Sequence, residues 1–203
     1  MAEEDFSIFT YIYEKNVWNS PETFSGPGST VAGTTSLRQT LERTLAELNI
    51  RSLVDAPCGD MNWMRHLKYA FDSYIGIDLV SSIIEKLKQD TSFAPLYNFQ
   101  VGNIVTDILP RADALLCRDC LVHLPSSMIA QALEKFRRGG FRYLLLTTFP
   151  ACEKNEDCQI GHWRPLNMQK APFSLPLPKA LLPEYPGATG ANSDKSLGVW
   201  QIN

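Results

Sequence analysis

Short apolar runs alternate along this chain with longer segments in which apolar residues recur at helical spacing. The runs are short enough for buried strands, and several of them end on a polar or acidic residue. They predict strands that end at Asp55 and over residues 73–80, 97–101, 112–118, 141–149 and 196–202. Strands that alternate with helices are typical of an α/β protein with a mainly parallel sheet.

The helical segments lie between these strands. Leu37, Leu41, Leu45 and Leu48 fall on one face of a predicted helix over residues 36–50, with Ser36 as its N-cap. Similar spacing predicts helices over residues 62–69, 81–89 and 126–137, and a short amphipathic helix within residues 6–18. Proline and glycine predict a loop over residues 19–35 and sparse regular structure over residues 151–186.

Composition changes this picture little, but it excludes several classes of protein. With 203 residues, 44% apolar and 20% charged, the chain is long enough for one α/β domain with a full core. The net charge of −3 gives no basic field for nucleic acid, and no apolar run is long enough to cross a membrane. An acidic start at residues 1–5 and five cysteines predict a cytoplasmic protein with reduced thiols.

Two acidic residues mark the predicted binding site. Asp55 ends the first strand before a turn that contains Gly59, and Asp78 ends the next strand about twenty residues later. A strand, a tight turn and a following helix are typical of a nucleotide-binding crevice, and a glycine lets a ligand approach the backbone. Acids here favour a ligand with positive charge or ribose hydroxyls over one with phosphates.

The segment Asp55-Ala56-Pro57-Cys58-Gly59-Asp60 resembles the first motif of class I S-adenosylmethionine-dependent methyltransferases. Pro57 and Met61 stand where that family has glycines, and the similarity extends over residues 51–150. The resemblance implies a seven-stranded Rossmann-like, doubly wound sheet of order 3-2-1-4-5-7-6, with the last strand antiparallel. It also implies S-adenosyl-L-methionine as cofactor, held through Trp18, Ser25, Asp55, Ala56, Pro57, Cys58, Gly59, Asp60, Trp63, Asp78, Leu79, Asn103, Ile104 and Arg118.

The residues after the fourth strand are the catalytic candidates. Asp119 and His123 follow it at the position of the family's reaction centre, although Val122 replaces the family's usual glutamate. Cys117 and Cys120 form a CxxC pair, but its spacing to the later cysteines does not suit zinc, and no helix follows it directly as a redox pair requires. We therefore predict no metal.

The segments on either side of the core are expected to cover the cofactor and to bind the substrate. We predict one domain over residues 1–203, in which residues 1–35 form a lid or a capping loop, residues 36–150 the cofactor-binding core and residues 151–203 the substrate side. Within the insertion over residues 155–167, Trp163 offers a stacking wall, Arg164 a fork for an anion and Asn167 a polar contact. The expected reaction is methyl transfer to a small anionic or hydroxylated molecule.

Two other functions remain open at this point. A non-catalytic sensor of an adenosine ligand, or a partner-binding module, would have the same strand ends without turnover. A protein methyltransferase is also compatible with the sequence, whereas a nucleic-acid or membrane partner is not expected. The oligomeric state is undetermined by the sequence.

Overall fold

A computed structural model describes residues 6–93, 95–187, 189–190 and 193–202. The acidic residues 1–5, on which the prediction of a cytoplasmic protein rests in part, lie outside the described residues. None of the helices in the described part is long and apolar enough to cross a membrane.

Seven strands of the described chain form one sheet of order β3-β2-β1-β4-β5-β7-β6. The first five pair in parallel, and β7 lies antiparallel between β5 and β6. The strands are β1 (Ser52–Asp55), β2 (Ser73–Asp78), β3 (Tyr97–Val101), β4 (Ala114–Cys117), β5 (Tyr143–Thr148), β6 (Ala180–Pro183) and β7 (Ser196–Gln201). The predicted fold class and strand order are confirmed.

The central strands contribute side chains to two separate cores because successive residues point to opposite faces of a sheet. Val54 and Leu115 belong to one core, and their neighbours Leu53 and Leu116 belong to the other. The helices that cover the faces are α1 (Ser7–Glu14), α2 (Thr35–Glu47), α3 (Ser81–Gln89) and α4 (Ser126–Arg138). Single 3₁₀ turns lie at Pro27–Ser29, Met64–His66 and Leu121–His123.

Two local predictions are wrong. The helix predicted over residues 62–69 is only the 3₁₀ turn Met64–His66. Met61 has a positive φ of 61°, which a helix does not allow. The side-chain amide of Asn62 donates to Glu22 and to the Ser29 carbonyl, which fixes the start of this segment in a turn. Helix α2 starts at Thr35, not after a Ser36 cap; its N-cap Thr34 makes no capping bond and donates its hydroxyl to the Thr30 carbonyl instead.

The carboxyl ends of the five parallel strands meet at one edge of the sheet. Asp55 and Asp78 end β1 and β2 there, and Arg118 follows β4. Neighbouring β1 and β4 lie at the point where the strand order reverses, which is where doubly wound sheets bind ligands. The fold therefore brings the acidic strand ends of the sequence into one crevice.

Candidate functional site

A cavity opens at this edge, and nearly all of the sequence-predicted cofactor residues line it. They are Trp18, Ser25, Asp55, Pro57, Cys58, Gly59, Asp60, Trp63, Asp78, Leu79, Asn103, Ile104 and Arg118, together with Asp119 and His123. Ala56 does not line it: the residue is fully buried, and its amide donates to the Leu116 carbonyl of β4. Ala56 therefore supports the turn from beneath rather than facing the cavity.

The turn after β1 forms the floor of this first cavity. The Cys58 amide donates to the Ile77 carbonyl, and the Gly59 amide donates to Asp78 Oδ2 across 3.0 Å. Gly59 has a φ of +55°, and a Cβ there would lie 2.5 Å from Ser25 Oγ. A side chain at this position meets both backbone strain and a neighbouring atom, so glycine is required.

Two buried carboxylates give the cavity its electrostatic character. Burial raises the pKa of Asp55 to about 7, with the nearby Asp78 adding to the rise and a hydrogen bond from Tyr74 opposing it. Burial likewise raises the pKa of Asp78 to about 6, against hydrogen bonds from the Val80 and Gly59 amides. Burial therefore disfavours the ionised form of each carboxylate, and a positive charge bound nearby would stabilise it.

Residues 18–29, which we call the N-terminal cover, lie across the cavity and are fastened to the turn. Asp60 Oδ2 accepts hydrogen bonds from the Thr23 hydroxyl at 2.6 Å and the Phe24 amide at 3.2 Å. Asn62 Nδ2 donates to Glu22 at 2.7 Å and to the Ser29 carbonyl at 3.0 Å. These bonds hold the segment in place by polar contacts, which both a moving lid and a static cap would need.

A second cavity adjoins the first. It is lined by Trp18, Ser25, Gly26, Pro27, Gly28, Asp119, His123, Phe149, Trp163, Tyr185 and Lys195. Trp18, Ser25, Asp119 and His123 line both cavities and so mark their junction. The catalytic candidates of the sequence stand at the place where molecules in the two cavities would meet.

A buried network of four charges stands behind that junction. Arg118 pairs with Glu184 at 2.5 Å and with Asp119 at 3.3 Å, and Lys195 pairs with Asp119 at 2.5 Å and with Glu184 at 3.1 Å. Burial opposes the charge on Asp119, but the Arg118 and Lys195 cations outweigh it and lower its pKa to about 2. Asp119 is therefore a fixed anion and a weak base.

Sequence reasoning missed Glu184 and Lys195. They lie at the two ends of the loop that joins β6 to β7, and no local motif distinguishes either residue from an ordinary surface charge. Their burial, with side-chain exposures of 1% and 8%, is the result of the strand order.

His123 differs from Asp119 in being poised as a neutral base. Burial lowers its pKa, and its ring hydrogen-bonds the His162 backbone. Its Nδ1 is buried and has no hydrogen-bond partner, and the ring lies 5.3 Å from that of Trp18. An imidazole nitrogen with a free lone pair can accept a proton.

Two of the predicted substrate contacts, Arg164 and Asn167, lie outside both cavities. Arg164 is buried, and its guanidinium donates to the Leu121 carbonyl at 3.0 Å and the Glu156 carbonyl at 3.2 Å. Asn167 donates to the carbonyls of Pro150 and Cys152. Neither residue lines a cavity, because each uses its side chain to fold the insertion onto the core. Trp163 does line the second cavity.

The cysteines do not form a metal centre in the described part of the chain. No group of three or more metal-binding side chains converges among those residues. Cys117 and Cys120 carry free thiols, as do Cys58, Cys152 and Cys158.

Comparisons with known proteins identify the fold. No family model and no curated protein matches the sequence. Human N-acetylserotonin methyltransferase, solved with SAM, is 12% identical with a TM-score of 0.55, over 97% of this chain and 67% of that one. Phosphoethanolamine N-methyltransferase 1 of Haemonchus contortus, solved with phosphoethanolamine and S-adenosylhomocysteine, is 17% identical with a TM-score of 0.57, over 77% and 35%.

A third structure, the methyltransferase domain of bacterial Hen1, is 18% identical with a TM-score of 0.50, over 57% of this chain and 66% of that one. In several of these comparisons the chain spans less than two thirds of the other protein's length, and in one of them it spans 60%. At these identities the likeness shows the fold alone. The chain has the fold of class I S-adenosylmethionine-dependent methyltransferases.

Proposed function

We propose that this protein transfers a methyl group from S-adenosylmethionine to a small molecule. The observation that carries the proposal is the pair of buried carboxylates, Asp55 and Asp78, on either side of the Gly59 turn at the point where the strand order reverses. A phosphate-bearing ligand would be repelled there, whereas a cation with ribose hydroxyls is complementary.

The donor set fits this cofactor. Asp78 would accept from the ribose hydroxyls, and Asp55 and Asp60 would face the positive charges of the sulfonium and the amino group. Asn103 and Ile104 would lie at the adenine end, although Asn103 Oδ1 already accepts from the Val105 amide at 2.9 Å. Arg118 is engaged by the Asp119 and Glu184 carboxylates and by the Gly28 carbonyl, so we assign it a supporting role.

The remaining predicted contacts are proposed as walls of the same site. Trp63 lies beneath the Arg118 guanidinium, 5.1 Å from ring centroid to Cζ, and Trp18 and Ser25 belong to the N-terminal cover. Pro57, Cys58 and Leu79 line the floor and the β2 end of the cavity. The bound cofactor supplies an activated methyl group, so the protein's task is to align an acceptor with it and to exclude water, and alignment can contribute about 7–11 kcal/mol.

His123 and Asp119 would have different roles toward the acceptor. An acceptor hydroxyl at the junction of the cavities would give its proton to His123 Nδ1, which is free and neutral. Asp119 stays ionised and orients the acceptor without taking its proton. Positioned general-base catalysis adds about 10²–10⁴-fold to a rate.

The test has two stages. Calorimetry with S-adenosylmethionine and S-adenosylhomocysteine measures cofactor binding, and a pool of small metabolites with methyl-labelled cofactor measures turnover. We expect both binding and label transfer, and we expect His123→Ala to lose transfer while it keeps binding. Binding without transfer to any pool would instead support an adenosine-ligand sensor or a protein substrate, and failure to bind either nucleoside would overturn the proposal.

A further inference from the structure

We propose that the second cavity binds an electrically neutral ring that carries neighbouring hydroxyl groups, and that this ring is the methyl acceptor. The inference rests on the proposed function, because it names the substrate class of the same site. Three independent features of the cavity support it: its aromatic walls, its balanced charges and the free nitrogen of His123.

The aromatic walls come from four separate parts of the chain. Trp18 belongs to the N-terminal cover, Phe149 follows β5, Trp163 lies in the insertion and Tyr185 follows β6. Trp163 packs edge-on against Phe149, with centroids 5.8 Å apart and an interplanar angle of 82°, yet 46% of it is exposed. A held indole with free surface is suited to stacking on a ring.

The charges of the cavity are already balanced. Arg118 and Lys195 are matched by Asp119 and Glu184, so the network carries no net charge to attract an ion. A charged acceptor would have to compete with one of these buried pairs, and separating a buried pair is costly. Arg164, the cation that the sequence offered for an anion, lines neither cavity: its Nε and Nη1 donate to backbone carbonyls, and its Nη2 is buried without a hydrogen-bond partner.

The two charged groups that line the cavity still have hydrogen-bonding capacity. An ammonium has three donors, and the hydrogen bonds and ion pairs described for Lys195 Nζ go to Asp119 and Glu184. The Asp119 carboxylate has acceptor sites beyond those that Arg118 and Lys195 use. A hydroxyl both donates and accepts, so two adjacent hydroxyls match a carboxylate and an ammonium that lie 2.5 Å apart.

His123 completes the match. Its exposure is 8%, its Nδ1 is buried without a partner, and its ring lines both cavities. A buried acceptor without a donor is unfavourable, and a hydroxyl of the bound ring would supply that donor. This places one hydroxyl of the ring at the junction with the first cavity.

The experiment uses the full chain saturated with S-adenosylhomocysteine and saturation-transfer NMR. The probes are glucose, catechol and glucose 6-phosphate, which represent a sugar ring, an aromatic ring and a charged form of the first. We expect glucose or catechol to bind, the phosphate ester to bind more weakly than glucose, and Trp163→Ala to weaken the neutral probe about tenfold. The matched control is Tyr11→Ala, an exposed aromatic outside both cavities, which should change nothing.

The arms separate the possible outcomes. Binding of glucose alone or of catechol alone supports the inference and identifies the kind of ring. Glucose 6-phosphate binding as well as glucose, or no probe binding while calorimetry shows S-adenosylhomocysteine bound, overturns the inference and leaves the proposed function intact. Absence of S-adenosylhomocysteine binding overturns the proposed function and the inference together.

Discussion

Tyr74 donates its phenolic hydrogen to Asp55 Oδ2 across 2.5 Å, with both residues buried beneath the Gly59 turn. This bond stabilises the ionised carboxylate against the burial that raises its pKa to about 7. In Tyr74→Phe the pKa of Asp55 should therefore rise further. We expect the affinity for S-adenosylhomocysteine at pH 7 to fall about fivefold and to recover above pH 8.5, as measured by calorimetry over this range.

The matched control is Tyr69→Phe. Its hydroxyl donates to the Leu45 and Ile50 carbonyls, away from either cavity. Tyr69→Phe should lower stability without moving the pH midpoint of binding. Equal midpoints in the wild type and Tyr74→Phe would remove Asp55 from the binding site.

Asp78→Asn should weaken cofactor binding by more than a loss of fold stability would account for. The variant keeps an acceptor oxygen for the Gly59 amide, but it loses the second oxygen, which accepts from the Val80 amide, and the charge proposed to hold the ribose. Charge-assisted hydrogen bonds contribute about 1.5–3 kcal/mol, which corresponds to about 10–150-fold in the dissociation constant. Asp72→Asn, a surface carboxylate paired with Arg51, is the control, and unchanged calorimetric affinity in Asp78→Asn would contradict the ribose assignment.

Gly59→Ala should abolish cofactor binding through crowding as well as strain. Its Cβ would lie 2.5 Å from Ser25 Oγ in a backbone with φ of +55°. Gly187→Ala separates the two effects, because Gly187 also has a positive φ, +80°, but has nothing within 4 Å of its Cβ. Thermal unfolding should show a loss in both variants, and only Gly59→Ala should lose calorimetric binding of S-adenosylhomocysteine.

Asn62→Ala should loosen the N-terminal cover, because the Asn62 amide group bonds both Glu22 and the Ser29 carbonyl. Brief digestion with a nonspecific protease, read by mass spectrometry, should show faster cleavage within residues 18–29. Asn98→Ala, on the exposed side of β3, should not. In the wild type S-adenosylhomocysteine should slow these cuts; identical rates with and without it would make the cover a static cap.

Acidity should affect the ligand-free protein through Asp55. A carboxyl group whose pKa is higher in the folded state stabilises the fold fully below its unfolded pKa and loses that contribution as the pH rises through the folded value. With a folded pKa of about 7, the ionisation of Asp55 should lower the free energy of unfolding of the wild type by on the order of 2 kcal/mol between pH 5 and pH 8. Urea unfolding at both pH values should show a smaller loss for Asp55→Asn, and parallel curves would contradict the raised pKa.

The first cavity could be predicted because its residues end strands. Asp55 and Asp78 each close an apolar run, and parallel strands end together, so their meeting follows from local pattern. The second cavity could not be predicted in this way. Glu184 reaches Arg118, and Lys195 reaches Asp119, only because β7 enters the sheet antiparallel beside β5. Residue type alone did not show that Arg164 donates to backbone carbonyls.

The error at residues 62–69 has a different origin. Met61, Trp63 and Met64 are all buried, as residues on the inner face of a helix would be. Their burial is achieved by a turn with a positive φ at Met61, whose neighbours Asp60 and Asn62 bond to the N-terminal cover. Local periodicity predicts which residues are buried better than it predicts the backbone that buries them.

The late position of β7 in the sequence also affects when the charge network is completed during synthesis. Arg118 and Asp119 leave the ribosome well before Glu184 and Lys195, so a nascent chain that ends before the β6–β7 hairpin holds half of the charge network. In such a chain Arg118 has no Glu184, and β5 has an open edge where β7 will pair. Completion of the second cavity is therefore a late event of synthesis, and it coincides with the pairing of β7 on the open edge of β5.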